Sequence, residues 1–129
     1  MPLIQFQQKD LLRGKIVEPA WYRVKIIATG EKPSKDGGST NYPMEGIIVC
    51  NAEDGNTEFA GVPLDWNFNS RALGFAVGFL KSLGMDVSSG TRYDLSAAAG
   101  KEIDVFVEND MYEGRMVNRV NHKYRPAKD

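Results

Sequence analysis

Trp21, Arg23 and Lys25 alternate along one face of an apolar stretch, and that pattern suits an unpaired strand of nucleic acid. A flat indole can stack on a base, a contact worth about 1–3 kcal/mol per base, while cations hold the phosphates between bases. The plainer reading of the same residues is a tryptophan in the core, with the alternation slipped by a bulge near Pro19. A second group, Lys32 and Lys35, accompanies Gly37-Gly38, whose freed backbone amides can meet phosphates. No GxxxxGK[ST] pattern goes with them, so a nucleoside-triphosphate loop is not supported. Tyr42 stands at the start of the next apolar stretch as a further aromatic candidate. The third group is Tyr112, Arg115 and Arg119, with Lys123, Tyr124 and Arg125 following. Arg115, Val117 and Arg119 share a face at period two. For each cation taken singly, a solvated polar face competes with binding.

Catalytic machinery is harder to assemble. The chain has one histidine, His122, and one cysteine, Cys50, so a His/Cys zinc cage cannot form within one chain. His122 has no serine or cysteine that the sequence points to as a nucleophile. Asp104, Glu108 and Asp110 could be imagined as a divalent-metal site. Strand geometry sets Asp104 and Glu108 ~13 Å apart, with no base beside them, so a solvated face is expected. Neither an enzyme, a cofactor nor a metal is expected. Trp66 and Phe68 could stack on bases, but an aromatic leading into a helix more often anchors the core. Phe68 is read as core and Trp66 as either.

The elements that must position these groups follow from periodicity. Residues 20–29 alternate as a strand, with Tyr22, Val24, Ile26 and Ala28 on one face. Residues 30–41 read as a long flexible loop. A second strand is expected at about 42–50 and a turn at 51–56 with an Asp-Gly step. A third strand runs from Thr57 to Leu64, where Pro63 marks an edge or an end. Ala72, Phe75, Ala76, Phe79, Leu80 and Leu83 then form one helical face. That helix is capped by Asn69 or Ser70, closed by Gly84, and buries Phe75, Phe79, Leu80 and Leu83. A loop with a short helical turn near Leu95–Ala99 leads to a fourth strand at 101–108. A turn at Asn109-Asp110 and a fifth strand at 112–120 follow, and a polar tail begins at His122. An antiparallel order of three strands, one helix and two strands is that of the five-stranded oligonucleotide/oligosaccharide-binding (OB) barrel, with the helix between strands three and four. An open five-stranded sheet on one helix is the competing architecture.

The 129 residues suit a single domain over 1–129, able to bury a core without staples. No apolar run reaches the ~20 residues that cross a bilayer. The first six residues lack a signal-peptide pattern, and the lone cysteine fits a reducing compartment, so a cytoplasmic location is expected. The net charge of −1 hides a pattern. Residues 1–35 carry +4, residues 36–110 carry −8 and residues 111–129 carry +3. If the two ends lie side by side, they form a basic face on a weakly acidic protein.

Several phrases carry a resemblance. They are Ala-Trp-Tyr-Arg-Val-Lys-Ile (20–26), Lys-Pro-Ser-Lys-Asp-Gly-Gly (32–38) and Leu-Asp-Trp-Asn-Phe-Asn (64–69). Leu-Gly (83–84), Gly-Lys-Glu-Ile-Asp-Val (100–105) and Tyr-Glu-Gly-Arg-Met-Val-Asn-Arg-Val (112–120) complete the set. In this layout the chain, over about residues 3–126, resembles phage-encoded single-stranded-DNA-binding proteins. The resemblance implies an OB-fold that binds single-stranded DNA with little sequence preference during phage replication or recombination, in the host cytoplasm. Carried over, the binding positions are Trp21, Arg23, Lys25, Lys32, Lys35, Arg115 and Arg119. Replication or recombination proteins and a second copy of the chain are the expected further partners. The acidic tail by which many such proteins recruit partners is not matched, because this chain ends Tyr-Arg-Pro-Ala-Lys-Asp. The alternative reading is a small β-rich virion or adaptor protein whose aromatics sit in protein interfaces. The two differ in salt dependence, which is steep for phosphate binding alone.

Overall fold

A computed structural model describes residues 2–90 and 92–127. Its elements, in chain order, are α1 (Gln8–Leu12), β1 (Ala20–Thr29), β2 (Lys32–Pro33), β3 (Thr40–Asn51) and β4 (Pro63–Asn69). Helix α2 (Gly74–Ser82), β5 (Glu102–Tyr112) and β6 (Arg115–Pro126) complete it, with short 3-10 turns at Ser70–Ala72 and Leu95–Ala98. All pairings are antiparallel. The strands form one six-stranded sheet, hydrogen-bonded in the order β2-β3-β1-β5-β6, with β4 on β3. Because β2 adds a strand, the helix falls between the fourth and fifth strands rather than the third and fourth.

The core forms where period-two apolar faces meet the helix. Tyr22, Val24 and Ile26 of β1 are buried, as are Met44 and Ile48 of β3 and Ile103, Val105 and Val107 of β5. Ala28 is exposed, contrary to the alternation expected of it. The register slips between Ile26 and Ala28, so Ile27 is an extra residue there and the faces exchange. A second slip in the same ladder falls between Arg23 and Val24, well away from Pro19. Gly46 lies opposite Ile26, and a Cβ added there would come within 2.5 Å of the Val24 side chain and 3.1 Å of the Lys25 carbonyl oxygen, so glycine lets the strands pack closely.

Several boundaries differ from those expected. The loop at 30–41 is a built hairpin, with Lys32 and Pro33 of β2 pairing Asn41 and Thr40. At its tip the Asp36 carboxylate accepts from the Ser34 hydroxyl, the Gly38 amide and Arg71, which ties the hairpin to the helix entry. β4 begins at Pro63 rather than ending near it, because a first strand position asks for no N–H. Leu64, Trp66 and Phe68 therefore alternate inward, and both aromatics are core. Asn109-Asp110 lies inside β5, and the chain reverses at Glu113-Gly114, both at positive φ. That geometry belongs to a two-residue hairpin turn whose twist suits the strands. β6 runs on to Pro126, so the expected tail is sheet as far as that residue.

The helix carries one correction. Ala76, Phe79 and Leu80 are buried and Leu83 is half-buried, but Phe75 is 56% exposed. Asn69 caps the preceding 3-10 turn by accepting from the Arg71 amide. That tight turn and the short helix leave only the Ala76–Phe79–Leu80 edge against the sheet. Phe75 instead stacks on His122, ring centres 4.6 Å apart. Burial holds the His122 imidazole below its usual pKa of 6.5. The fold thus favours the neutral ring, so its contribution is complete above pH ~6.5 and drains as pH falls through the lower folded value. Between pH 7.5 and 5.5 the melting temperature of the parent should fall more than that of His122→Gln. Equal falls in the two proteins would exclude a role for this ring in the pH dependence.

Candidate nucleic-acid interface

In an antiparallel pair, residues directly opposite share a face. Trp21 lies opposite Phe106, Arg23 opposite Asp104, and Lys25 opposite Glu102. Asp104 lies in turn opposite Arg125. The outer face of β1, β5 and β6 therefore carries two rings side by side with cations around them. The Trp21 and Phe106 rings meet edge to face with centres 5.6 Å apart. The Arg125 guanidinium carbon stands 4.3 Å over the Trp21 ring, and the Lys123 ammonium 5.3 Å over Phe106. Guanidinium over indole is a favourable cation–π arrangement and leaves the planar cation available for stacking.

Beneath these groups lies the only buried charged side chain among the described residues, Asp104, at 0% exposure. A solvated face was expected there. Two arginines displace the water instead. Arg23 Nε stands 3.2 Å from one carboxylate oxygen and Arg125 Nε 3.5 Å from the other. The second contact is too long and poorly aligned for a hydrogen bond, so Asp104 holds Arg125 by charge more than by direction. The Arg125 Nη2 group donates to Glu53 at 2.7 Å, which raises the pKa of this guanidinium further.

The expected binding residues are thus redistributed. Arg23, with its side chain only 18% exposed, braces Asp104 and is not a free phosphate ligand. Arg119 is paired with Asp110 at 2.6 Å. Lys25, Lys32, Lys35 and Arg115 are exposed and form no ion pair with another described residue. Tyr42 lies opposite Phe68 and so belongs to the inner side. There it lines a cleft of about 730 Å³ with Leu73, Val77, Tyr93 and Leu95, separated from Trp21 by the sheet. Tyr112 and Arg115 face each other at the tip of the β5–β6 hairpin, beyond the Ala20 end of β1. Lys32 and Lys35 lie beyond its Thr29 end. At ~3.4 Å per residue, the ten residues of β1 set these two groups roughly 30 Å or more apart along the strand.

The two basic ends of the chain meet at two places without their strands pairing: Asn118 of β6 is hydrogen-bonded to the backbone of Lys15 and Val17, and Arg125 covers Trp21. β5 runs between β1 and β6, with Glu102, Asp104, Glu108 and Asp110 on the shared face. The outer face of β3 and β4 carries Glu45, Asp65, Asn41 and Asn67, and neither strand places an aromatic ring or a cation of its own there. Sequence reasoning gave too little weight to Phe106 and Arg125. Their signal was legible: Phe106 stands alone on the polar side of a strand otherwise alternating cleanly, and Arg125 follows Lys123 at period two.

Among the described residues, no helix is long and apolar enough to cross a membrane. Neither a family model nor a curated protein matches the chain.

Proposed function

We propose that this protein binds single-stranded DNA with little sequence preference, through the outer face of β1, β5 and β6, as a non-enzymatic OB-type domain. The observation that carries the reading is the Trp21–Phe106 pair, outward on the sheet and crowned by Arg125 and Lys123. Every base has a π-face, so such a platform is tolerant of sequence, and flanking cations meet the backbone. Lys25 supplies a further exposed cation on the same face.

The barrel reading rests on the strand path. In the sheet β1 lies between β3 and β5, and β4 and β6 stand at the two ends of the ladder that runs through it. Those ends approach through side chains, with Phe68 packing on Tyr124 and His122 at ring separations of 6.2 and 5.5 Å. The resemblance of layout to phage-encoded single-strand binders supports replication or recombination as the setting.

A titration with poly(dT), following tryptophan fluorescence at several salt concentrations, tests the reading. Binding should weaken roughly linearly on a log–log plot, with a slope of about −0.7 per phosphate engaged. Trp21→Ala should lose ~1–3 kcal/mol of binding at each salt concentration. Lys25→Gln should flatten the slope by about 0.7 and leave folding unchanged. Absence of binding at low salt would remove the assignment.

A second reading, an adaptor or assembly protein, is favoured by one observation. Leu3, Ile4, Phe6 and Leu11 before β1, and Met111, Tyr112 and Met116 at the hairpin tip, are large apolar groups left exposed. Patches of this kind mark protein contacts. Self-association or partner capture that resists salt, without poly(dT) binding, would support it.

A further inference from the structure

The Arg125–Trp21 stack is already occupied at its edge by an acid of the same chain. Glu53 Oε1 receives the Arg125 Nη2 hydrogen at 2.7 Å. Glu53 is no loosely drifting side chain on a long loop. Asn51 Oδ1 accepts from the amides of Glu53 and Asp54, which rigidifies the turn after β3. The Ala52 amide donates to the carbonyl of Trp21 itself, at 2.9 Å. The turn is thus fastened to the residue whose ring Arg125 covers, and Glu53 is delivered to the guanidinium edge.

A carboxylate and a phosphate present similar pairs of anionic oxygens to a guanidinium, and arginine binds both in the same planar manner. The face of the Arg125 guanidinium turned away from Trp21 can carry a base, while its edge suits the neighbouring phosphate. We infer that Glu53 is an internal stand-in for that phosphate: it holds the Arg125 edge in the free protein and gives way to the DNA backbone on binding. This rests on the single-strand reading above and names how that same site is held in check. The exchange is one anion for another on a standing cation, so no bond is made or broken. Arg125 stays loose enough to follow either anion, because Asp104 holds its Nε only at 3.5 Å and both Glu53 and Arg125 reach water.

The consequence is that removing the Glu53 charge should tighten binding only while Arg125 is present. An exposed ion pair has a strength equivalent to roughly a 1.5- to 5-fold change in an equilibrium constant, which sets the scale. Poly(dT) affinity should therefore rise about 2- to 5-fold in Glu53→Gln at low salt. Glu58→Gln removes an equal exposed charge that forms no ion pair with a described residue, and it should have a smaller effect. In an Arg125→Ala background, Glu53→Gln should have no more effect than Glu58→Gln, since the pair it acts through is gone. Glu53 lies on an exposed turn, so its variant should fold as the parent does, which circular dichroism would confirm. If the parent binds poly(dT) and Glu53→Gln matches Glu58→Gln in both backgrounds, the stand-in idea is overturned and the single-strand reading survives. If neither the parent nor Glu53→Gln binds at low salt, both fall together.

Discussion

Phe79→Ala should cost about 3–5 kcal/mol of folding stability, the range found for buried phenylalanines cut to alanine. Phe79 is fully buried and packs on two strands at once. Its ring packs on Trp66 and Phe68 of β4, with centres 6.3 and 5.2 Å apart, and on Tyr124 of β6 at 5.4 Å. The cavity left by truncation would be walled by large rings on hydrogen-bonded strands, which cannot collapse far into it. The lost contacts are also those through which the helix draws β4 and β6 together. Urea unfolding measures the effect: the midpoint should drop markedly with little change in slope. A loss below ~1 kcal/mol would mean that the ring does not fill the core as described. The matching change Phe75→Ala should cost far less, because that ring is mostly in water and covers only His122.

Asp104→Ala should cost about 2–4 kcal/mol. Breaking a fully buried pair costs roughly 3–5 kcal/mol, because an uncompensated charge is left behind. Here the abandoned partners are Arg23 and Arg125, whose side chains are 18% and 27% exposed, so part of the penalty is relieved by hydration. The value should accordingly fall towards the lower part of the range. A cycle with Arg23→Ala separates the pair from the rest. If Asp104 and Arg23 act together, the double variant should lose less than the sum of the two single losses. Additive losses would show that the 3.2 Å contact carries no coupling of its own. The same variant should also loosen Arg125 from Trp21, visible as a change in the tryptophan emission.

How far these features could be read in advance depends on the range of the interactions behind them. The faces of β1 were legible because alternation is local: Tyr22, Val24 and Ile26 turn inward whatever the neighbouring strand. Phe79 and Leu80 were legible for the same reason at helical period. The turn at 113–114 was missed although glycine marked it, because Asn109-Asp110 offers an equally good local turn. What rejected that alternative was distant pairing: the Asn109 side chain donates to the carbonyl of Val17, and Asp110 meets Arg119.

The candidate site shows the division most sharply. That Trp21, Arg23 and Lys25 share a face was determined by the sequence, since period two in a strand needs no partner. Which of those cations remains available was decided only when β5 came to lie between β1 and β6. Its acidic residues then claimed Arg23 and Arg119, while Phe106 and Arg125 were brought to Trp21 from more than eighty residues away along the chain. A residue's spacing along the chain states which way it points. Its charge is neutralised, or its ring covered, by whatever the tertiary fold sets opposite, and Coulomb and packing forces act through space without regard to sequence distance.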